Sequence, residues 1–394
     1  MMQVQEKTIL GLTDEQLDAR GAGLTAREIA QQGNVWLQDD VICNRRADVA
    51  AFLAPLLAQE RLRIVLTGAG TSAFIGECLL PAMLAQGRRA EAIATTDLVS
   101  GPGRFFQPGV PTLLVSFARS GSSPESLAAV ALANQLVPDV HHLIITCNAE
   151  GALYRAAHEC RNAYAILLPD ATHDRGFAMT TSFTSMLLTA ALAFDLFPAG
   201  AVERLSNAAL ALPRQALPTL RDLVAGHYRR VVYLGSNELR GLAREAALKL
   251  LELTDGQVVA LFDSPLGFRH GPKTIVDGQT LVVLLLSNDA HARRYDLDLL
   301  RELQRDGHAG RVLALSGQPA PGLGADCIDI DGVGSASDLE LALPYIVFCQ
   351  CFALLQSLAL GLRPDTPSVS GTVNRVVRGV TIHPFPGGAD VPGH

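Results

Sequence analysis

Short apolar runs alternate with amphipathic stretches along most of the chain. The run Leu62–Thr67 ends in a glycine turn at Gly68–Gly70, and a helix-forming stretch follows at Ser72–Ala85. Further apolar runs predict strands at Ala90–Thr95, Thr112–Phe117 and His142–Thr146. Strands that alternate with helices are typical of a mostly parallel sheet covered on both faces.

The same order recurs in the second half of the chain. A helical stretch at Thr180–Phe197 and a proline-containing link at Pro213–Pro218 lead to a predicted strand at Val231–Leu234 and a helix at Glu238–Thr254. Two more strands are predicted, at Thr280–Leu286 and Arg311–Leu315. We therefore predict an α/β fold with two structurally duplicated halves.

The ends of the chain lie outside this alternation. Thr13 with Gln16, and Thr25 with Glu28, have the spacing of capping boxes at helix starts. We predict an N-terminal helical arm at residues 1–50, a first α/β domain at 51–215, a second at 216–365 and a C-terminal tail at 366–394.

Composition and charge narrow the class of protein. The 394 residues are 48% hydrophobic and 18% charged, which favours a well-buried globular protein. The net charge of −7 and the absence of a Lys/Arg run argue against a nucleic acid or a membrane surface as partner. Seven irregularly spaced cysteines without a C-x-x-C pair indicate a reducing compartment. Met1–Leu10 does not resemble a signal peptide and runs such as Leu281–Leu286 are too short to cross a bilayer, so we expect a cytoplasmic protein.

Two loops have the composition of a phosphate site. Gly68–Ala73 lies between a strand and a helix, where backbone amides and the helix dipole favour an anion. Arg119–Ser126 follows another strand of the same half. The hydroxyls of Ser72, Ser120 and Ser123 could surround one phosphate, and the absence of a P-loop lysine favours a phosphomonoester. The alternatives are a plain turn, a dinucleotide loop and a serine helix cap.

Charged residues on the predicted helix at Glu238–Thr254 form one stripe. Glu245, Lys249 and Glu252 follow i, i+4, i+7 spacing. This stripe is either a solvated, salt-bridged face or a general base with a cation beside it. His270, which precedes Gly271-Pro272, is either structural or catalytic.

Several motifs resemble those of a known family. Four of them appear in the order found in the double-SIS sugar-phosphate isomerases, which include the isomerase half of glucosamine-6-phosphate synthase: Gly70–Ser72, Arg119–Ser123, Glu245–Glu252 and His270–Pro272. Three longer segments resemble the galactosamine-6-phosphate deaminases, also described as tagatose-6-phosphate ketose/aldose isomerases: Ser116–Ser126, His173–Phe183 and Gly371–Phe385. The resemblance extends from Thr25 to Phe385.

This resemblance implies two tandem SIS domains, each a three-layer α/β/α sandwich with a mostly parallel sheet. It implies isomerisation coupled to deamination of an amino-hexose 6-phosphate, with no metal and no cofactor. Glu252 would be the base that moves a proton between C2 and C1, His270 would open the sugar ring, and Lys249 would steady the enediol charge. A homodimer or larger homo-oligomer is expected, with His270 entering the neighbouring subunit's pocket.

The resemblance also implies a set of substrate-binding residues. They are Ser72, Arg119, Ser120, Ser123 and Arg378, the last on a tail that closes over the site. Ala118 and Arg119 stand where the synthase has serine and glutamine, and Arg378 stands where it has a lysine. Arginine stays protonated, so covalent capture of the sugar by the tail is not expected.

Three other functions remain open from the sequence. A regulator could use the same pocket to sense a sugar phosphate without catalysis. A fructosamine-phosphate deglycase would share the double-SIS plan. A dinucleotide-dependent dehydrogenase would use Gly68–Ala73 and Asp97. The sequence leaves galacto or gluco configuration open.

Overall fold

The computed structural model describes residues 8–38, 40–323, 326–371, 373–377 and 379–386, except for the side chains of residues 40–45. In chain order the helices are α1 (Asp14–Ala19), α2 (Gly23–Leu37), α3 (Asp40–Leu57), α4 (Thr71–Ala85), α5 (Thr95–Ser100), α6 (Pro102–Phe105), α7 (Pro124–Leu136), α8 (Ala152–Glu159), α9 (Thr181–Ala193), α10 (Ala201–Gln215), α11 (Leu217–Ala225), α12 (Glu238–Leu253), α13 (Pro265–Phe268), α14 (Ala292–Asp306) and α15 (Asp338–Ala359). The strands are β1 (Arg63–Thr67), β2 (Ala90–Ala92), β3 (Thr112–Ala118), β4 (Val140–Thr146), β5 (Ala163–Leu167), β6 (Arg230–Gly235), β7 (Val259–Asp263), β8 (Thr280–Leu285), β9 (Arg311–Ser316) and β10 (Cys327–Asp329).

The described residues group into two compact units with one sheet each. The first-sheet unit comprises Gln38–His173, Ser182–Phe197 and the described residues from Val376 on. The second-sheet unit comprises the described part of residues 1–37, Asp174–Thr181 and Pro198–Arg375. Residues 8–37 and 198–215 thus group with the second sheet, while the domain boundaries expected at 50/51, 215/216 and 365/366 stay predictions.

The first sheet has the strand order β2-β1-β3-β4-β5, and all neighbouring strands are parallel. Every residue of β1 and β3 is buried, as expected for inner strands covered by helices on both faces. The carboxyl ends of β1 and β3 lie at the same edge, so the loops that follow them are neighbours. A Cβ at Gly68 would lie 2.6 Å from the carbonyl carbon of Ser72, which explains glycine at this turn.

The second sheet has the order β10-β9-β8-β6-β7, again with all neighbouring strands parallel. Taken in the order of the chain, both sheets place the second strand beside the first, and then the third, fourth and fifth on the other side. The turn between the first strand of each sheet and the helix that follows it also ends in the same backbone conformation, at Gly70 (φ 56°, ψ −130°) and Asn237 (φ 50°, ψ −120°). The α/β class and the predicted duplication are confirmed.

Helix α15 forms the core of the second-sheet unit and was not singled out from the sequence. It packs against α2, α10, α11 and α12. Among the described helices it is the one whose length and apolar composition would suffice to cross a membrane, but 94% of its most apolar stretch is buried inside the protein. Burial of this kind is typical of a central helix in a globular unit.

Two local predictions were wrong and one was confirmed. Thr13 begins α1 with the predicted capping box. Thr25, by contrast, lies inside α2, where its amide and hydroxyl both donate to the Asp365 carboxylate. The expected link at residues 213–218 is helical apart from Ala216: Pro213 falls in the last turn of α10, and Pro218 is the second residue of α11, where a missing amide costs no intrahelical bond.

Candidate functional site

The first candidate centre lies at the carboxyl edge of the first sheet. Ser72 is the second residue of α4 and Arg119 follows the last residue of β3; both are buried. Ser120 and Ser123 are half-buried in the loop after Arg119. The structure thus brings four of the predicted phosphate-binding residues to one edge, on the loops of two adjacent strands.

Internal hydrogen bonds fix the shape of the serine loop. The Ser120 carbonyl accepts from the Asn148 side chain at 2.8 Å, and the Ser122 amide donates to the Ser120 hydroxyl at 3.4 Å. Ser123 is the N-cap of α7: its hydroxyl accepts from the Ser126 amide and donates to the Ser126 hydroxyl at 2.7 Å. Ser123 therefore acts as a helix cap, and a role in phosphate binding stays a prediction.

The second candidate centre lies on α12. Lys249 is fully buried; its Nζ donates to Glu252 Oε2 at 2.5 Å and lies 3.5 Å from Glu245 Oε1. Glu245 is also fully buried, whereas 25% of the Glu252 side chain is exposed. A solvated, salt-bridged face is therefore the wrong interpretation for Glu245 and Lys249.

This buried cluster has a chemical consequence. A buried ammonium group is tolerated only when carboxylates compensate its charge, and Lys249 has two within 4 Å. Glu252, the partly exposed member, presents a carboxylate to solvent with a cation held against it. Such a pair combines a proton acceptor with a fixed positive charge.

His270 lies between α13 and a short 3₁₀ helix at Pro272–Ile275. Its ring is exposed, which excludes the interpretation as a core histidine. The following Gly271 has φ 120°, a conformation that requires glycine, and Phe268 anchors the loop in the core with 1% exposure. The loop therefore holds an exposed imidazole in a defined place.

Arg378 lies outside the described residues. Two tail residues that precede it are hydrogen-bonded within the second-sheet unit. Val369 donates its amide to the Asp255 carboxylate at 3.3 Å, and Arg375 donates to the carbonyl oxygen of Asp174. Further along, Phe385 belongs to the first-sheet unit, where it packs with Phe105 in an apolar cluster.

Sequence reasoning missed a group of buried carboxylates in the second-sheet unit. The Glu28 carboxyl group accepts the amides of Arg175 and Gly176 at 2.6 and 3.1 Å. Burial, and then the neighbouring charges of Asp174 and Asp365, raise the pKa of Glu28 to about 7. The available signal was the motif at residues 173–183, which carries no chemical role in the predicted mechanism.

Carboxylates also occupy the carboxyl edge of the second sheet. Asp296 accepts from the Ser236 hydroxyl at 2.6 Å and from the Ser287 amide at 2.9 Å, and Asp338 accepts from the Asn288 amide at 2.7 Å. Burial raises the pKa of Asp296 to about 6. Donors at this edge are thus already bound to the protein's own acids.

Burial likewise raises the pKa of Glu238, the first residue of α12, to about 7. Smaller contributions to this shift come from the negative charges of Asp338 and Asp289. Across the part of the chain that the structure describes, no group of three or more His, Cys, Asp or Glu residues is arranged to hold a metal ion.

Comparison with known proteins places these centres in a family. Residues 56–196 match the family model of the SIS domain. The D-galactosamine-6-phosphate deaminase AgaS of Escherichia coli is 48% identical over 370 residues, with 92% of this chain and 96% of the relative covered. The deaminase of the same name from Shewanella sp. (strain ANA-3) is 44% identical and covers 96% of this chain and 97% of its own.

A solved structure agrees with these relatives. The tagatose-6-phosphate ketose/aldose isomerase from Escherichia coli superposes with a TM-score of 0.84 at 44% identity, covering 92% of this chain and 97% of its own. Relatives above 40% identity that align over nearly their whole length share both halves of the molecule. The chain therefore belongs to the SIS-domain family of the D-galactosamine-6-phosphate deaminases named AgaS.

Proposed function

We propose that this chain converts galactosamine 6-phosphate to tagatose 6-phosphate and ammonia. The observation that carries the proposal is the Lys249–Glu252 pair on α12, in which a partly exposed carboxylate is held 2.5 Å from a fully buried ammonium group. The near full-length similarity to deaminases and to a ketose/aldose isomerase supports the choice of reaction.

The first step is a proton transfer between neighbouring carbons. Once His270 has passed protons at O5 and O1 to open the ring, Glu252 removes the proton from C2 and the electrons form an enolamine. Lys249 stabilises the negative charge that develops on the oxygen at C1. Glu252 then returns the proton to C1, because a single carboxylate can reach both carbons.

The second step releases ammonia. Protonation of the enolamine at C1 leaves an imine at C2. Water adds to this carbon, the C–N bond breaks, and the products are a ketone at C2 and ammonia. A sugar that carries a hydroxyl at C2 undergoes only the first step, so the same residues would interconvert an aldose and a ketose.

The phosphate group is assigned to the first-sheet edge. Ser72, Arg119 and Ser120 would supply two hydroxyls and a cation, and the amides of the α4 and α7 starts would complete the site. Ser123 would support this site through its cap on α7. Arg378, on the tail, would add a positive charge over the bound sugar.

A substrate panel tests the proposal. We expect ammonia and tagatose 6-phosphate from galactosamine 6-phosphate, and a much lower rate with unphosphorylated galactosamine. Binding without turnover would instead favour a sugar-phosphate-sensing regulator, and a preference for substrates substituted at nitrogen would favour a deglycase. Turnover that depended on NAD would favour a dehydrogenase. Any of these three results would overturn the proposal.

We also propose a cytoplasmic homodimer in which His270 acts in the neighbouring subunit. Exposed apolar side chains lie near this loop in the chain, on edge strand β7 (Val259, Leu261) and on α13 (Leu266). Mixing inactive His270→Ala protein with inactive Glu252→Gln protein should restore part of the activity through hybrid sites. No recovery after confirmed subunit exchange would place both residues in the site of one chain.

A further inference from the structure

The segment Asp174–Thr181 carries most of a motif to which the proposed reaction assigns no role. Glu28, which projects from α2, holds one side of this segment by accepting the amides of Arg175 and Gly176. The Thr181 hydroxyl donates to the carbonyl oxygen of Glu28 at 2.8 Å, so side chain and backbone of one residue fix both ends of the segment.

The contact between Glu28 and this segment leaves no spare room. A Cβ at Gly176 would lie 2.8 Å from Glu28 Oε2 and 2.9 Å from the Thr25 hydroxyl. Real Cβ atoms do not approach oxygen this closely, so any larger residue at 176 would displace either the segment or the carboxyl group. The glycine of the motif is thus explained by the close approach of Glu28.

The segment is connected to the tail and to the catalytic helix inside the same unit. Arg375 donates to the carbonyl oxygen of Asp174, one residue before the two amides that Glu28 binds. Upstream in the tail, Val369 donates its amide to Asp255, which lies three residues after Glu252. Displacement of the Asp174–Thr181 segment would therefore break the bond between Arg375 and Asp174, one of the bonds that hold the tail.

The surroundings of Glu28 are acidic. Asp174 and Asp365 face it from the neighbouring segments, and the guanidinium of Arg375 binds the Asp174 backbone. Asp174 itself accepts the amides of Thr180 and Thr181. The amides of Arg175 and Gly176 require an oxygen acceptor at residue 28, and the acidic neighbours do not require that this acceptor carry a charge.

We propose that Glu28 is a positioning residue for the deamination: by binding the amides of Arg175 and Gly176 it fixes the Asp174–Thr181 segment and, through the bond from Arg375 to Asp174, the described part of the tail, to which the proposed function assigns a place over the bound sugar. The expected effect of Glu28 on KM rests on the proposed function. Glu28 touches no substrate, and its effect reaches the reaction through the tail.

Kinetics of Glu28→Ala and Glu28→Gln protein test the inference. Loss of both acceptor bonds in Glu28→Ala should raise KM about tenfold and leave kcat within about threefold, since a loosened tail weakens binding of substrate and transition state alike. Glu28→Gln keeps Oε1 for both amides and should stay within about twofold of the wild-type KM. Glu15→Ala, at an exposed glutamate of α1, is the matched control.

The pattern separates positioning from general support of the fold. A merely structural role would lower the amount of active enzyme, and hence the maximal rate, at unchanged KM. An unchanged KM in Glu28→Ala, with or without loss of maximal rate, would therefore overturn the inference. Equal damage from Glu28→Gln and Glu28→Ala would overturn it as well, because the amide preserves the acceptor.

Amide hydrogen exchange tests the positioning role of Glu28 without a measurement of activity. In Glu28→Ala protein, peptides covering residues 174–181 and 369–377 should exchange faster, while peptides from α12 and α14 should keep wild-type rates. Uniformly faster exchange across the second-sheet unit, or no change at 174–181, would contradict the positioning role. If the wild-type enzyme did not deaminate galactosamine 6-phosphate, the proposed function would be wrong. The exchange rates of Glu28→Ala protein would still show whether Glu28 fixes residues 174–181.

Discussion

The first and second sheets share one strand order, and in each a residue with the same positive-φ conformation stands between the first strand and the helix that follows it. At the carboxyl edge of the first sheet the loops carry hydroxyls and Arg119. At the corresponding edge of the second sheet, Asp296 of α14 and Asp338 of α15 reach into the loops after β6 and β8 and bind the local donors themselves. A carboxylate in such a loop repels a phosphate and competes for the same amides.

The comparison suggests a division of labour between duplicated halves. In the proposed function the edge of the first sheet binds the phosphate, whereas the second half, whose edge carries acids, supplies the Lys249–Glu252 pair on α12 for catalysis. Two SIS-type halves therefore predict one sugar phosphate per chain.

Glu252→Gln tests the catalytic half. Glutamine keeps the shape and a hydrogen-bond acceptor but cannot accept the C2 proton, so kcat should fall by about 10²–10⁴ with near-normal binding of sugar 6-phosphate. Ammonia release and exchange of the C2 proton with deuterated water should be lost together. Glu203→Gln, at an exposed site on α10, is the control.

If the Glu252→Gln protein still exchanged the C2 proton at the wild-type rate, Glu252 would not be the base. The buried Glu245, which also lies beside Lys249, would then be the next candidate.

Ser72→Ala and Ser120→Ala test the binding half. A hydrogen bond to a charged group contributes about 1.5–3 kcal/mol, so each change should raise KM about tenfold or more with little effect on the unfolding midpoint. Steady-state kinetics with galactosamine 6-phosphate measures this effect. An unchanged KM in both variants would remove the first-sheet edge from phosphate binding.

Asp296→Asn tests whether the second edge is purely structural. The amide loses one of the two acceptors that bind Ser236 and Ser287, and we expect a loss of about 1–2 kcal/mol in the free energy of unfolding. Because the proposed function assigns no substrate group to this edge, KM should not change. Denaturant titration measures the stability, and a rise in KM comparable to that of Ser120→Ala would contradict the division of labour.

The smallest effect concerns the pH dependence of stability. Burial raises the pKa of Glu238 from 4.5 to about 7, so ionisation costs more in the folded than in the unfolded chain. The stability that is present below about pH 4.5 is lost as pH rises through about 7. Glu238→Gln cannot ionise, and its thermal midpoint should therefore fall less between pH 5 and pH 8.

The thermal midpoint of that variant should still fall somewhat as pH rises, because Glu28 and Asp296 also have raised pKa values, of about 7 and about 6. If the thermal midpoint of Glu238→Gln protein fell with pH as steeply as that of the wild type, the pKa of Glu238 would not be raised in the folded protein.

The sequence predicted the inner strands well and the edges poorly. The runs that became β1, β3, β6 and β8 are mostly apolar and almost entirely buried, because helices cover them on both faces. The strands that were not predicted, β5, β7 and β10, are all edge strands of their sheets. An edge strand has one neighbour and partial exposure, so its composition is mixed and carries a weak signal.

A similar limit applies to the candidate site. Spacing placed Glu245, Lys249 and Glu252 on one stripe of a helix, but it could not tell a solvated stripe from a buried one. That difference depends on how α15 and β7 pack against α12, which is long-range information. Glu28 was assigned to a capping box because its partners, Arg175 and Gly176, lie far away in the chain.

The discontinuity of the second-sheet unit has a consequence for biosynthesis. Helix α2 packs against α10 and α15, so the N-terminal helices leave the ribosome long before their partners. All strands of the first sheet have been synthesised once the chain reaches Leu167. That sheet can therefore assemble before α10 and α15, the partners of α2, have been made. The nascent chain thus completes the first-sheet edge with Ser72 and Arg119 before it contains α12, and a chain that stops short of Asp338 exposes the apolar face of α2 to chaperones or to aggregation.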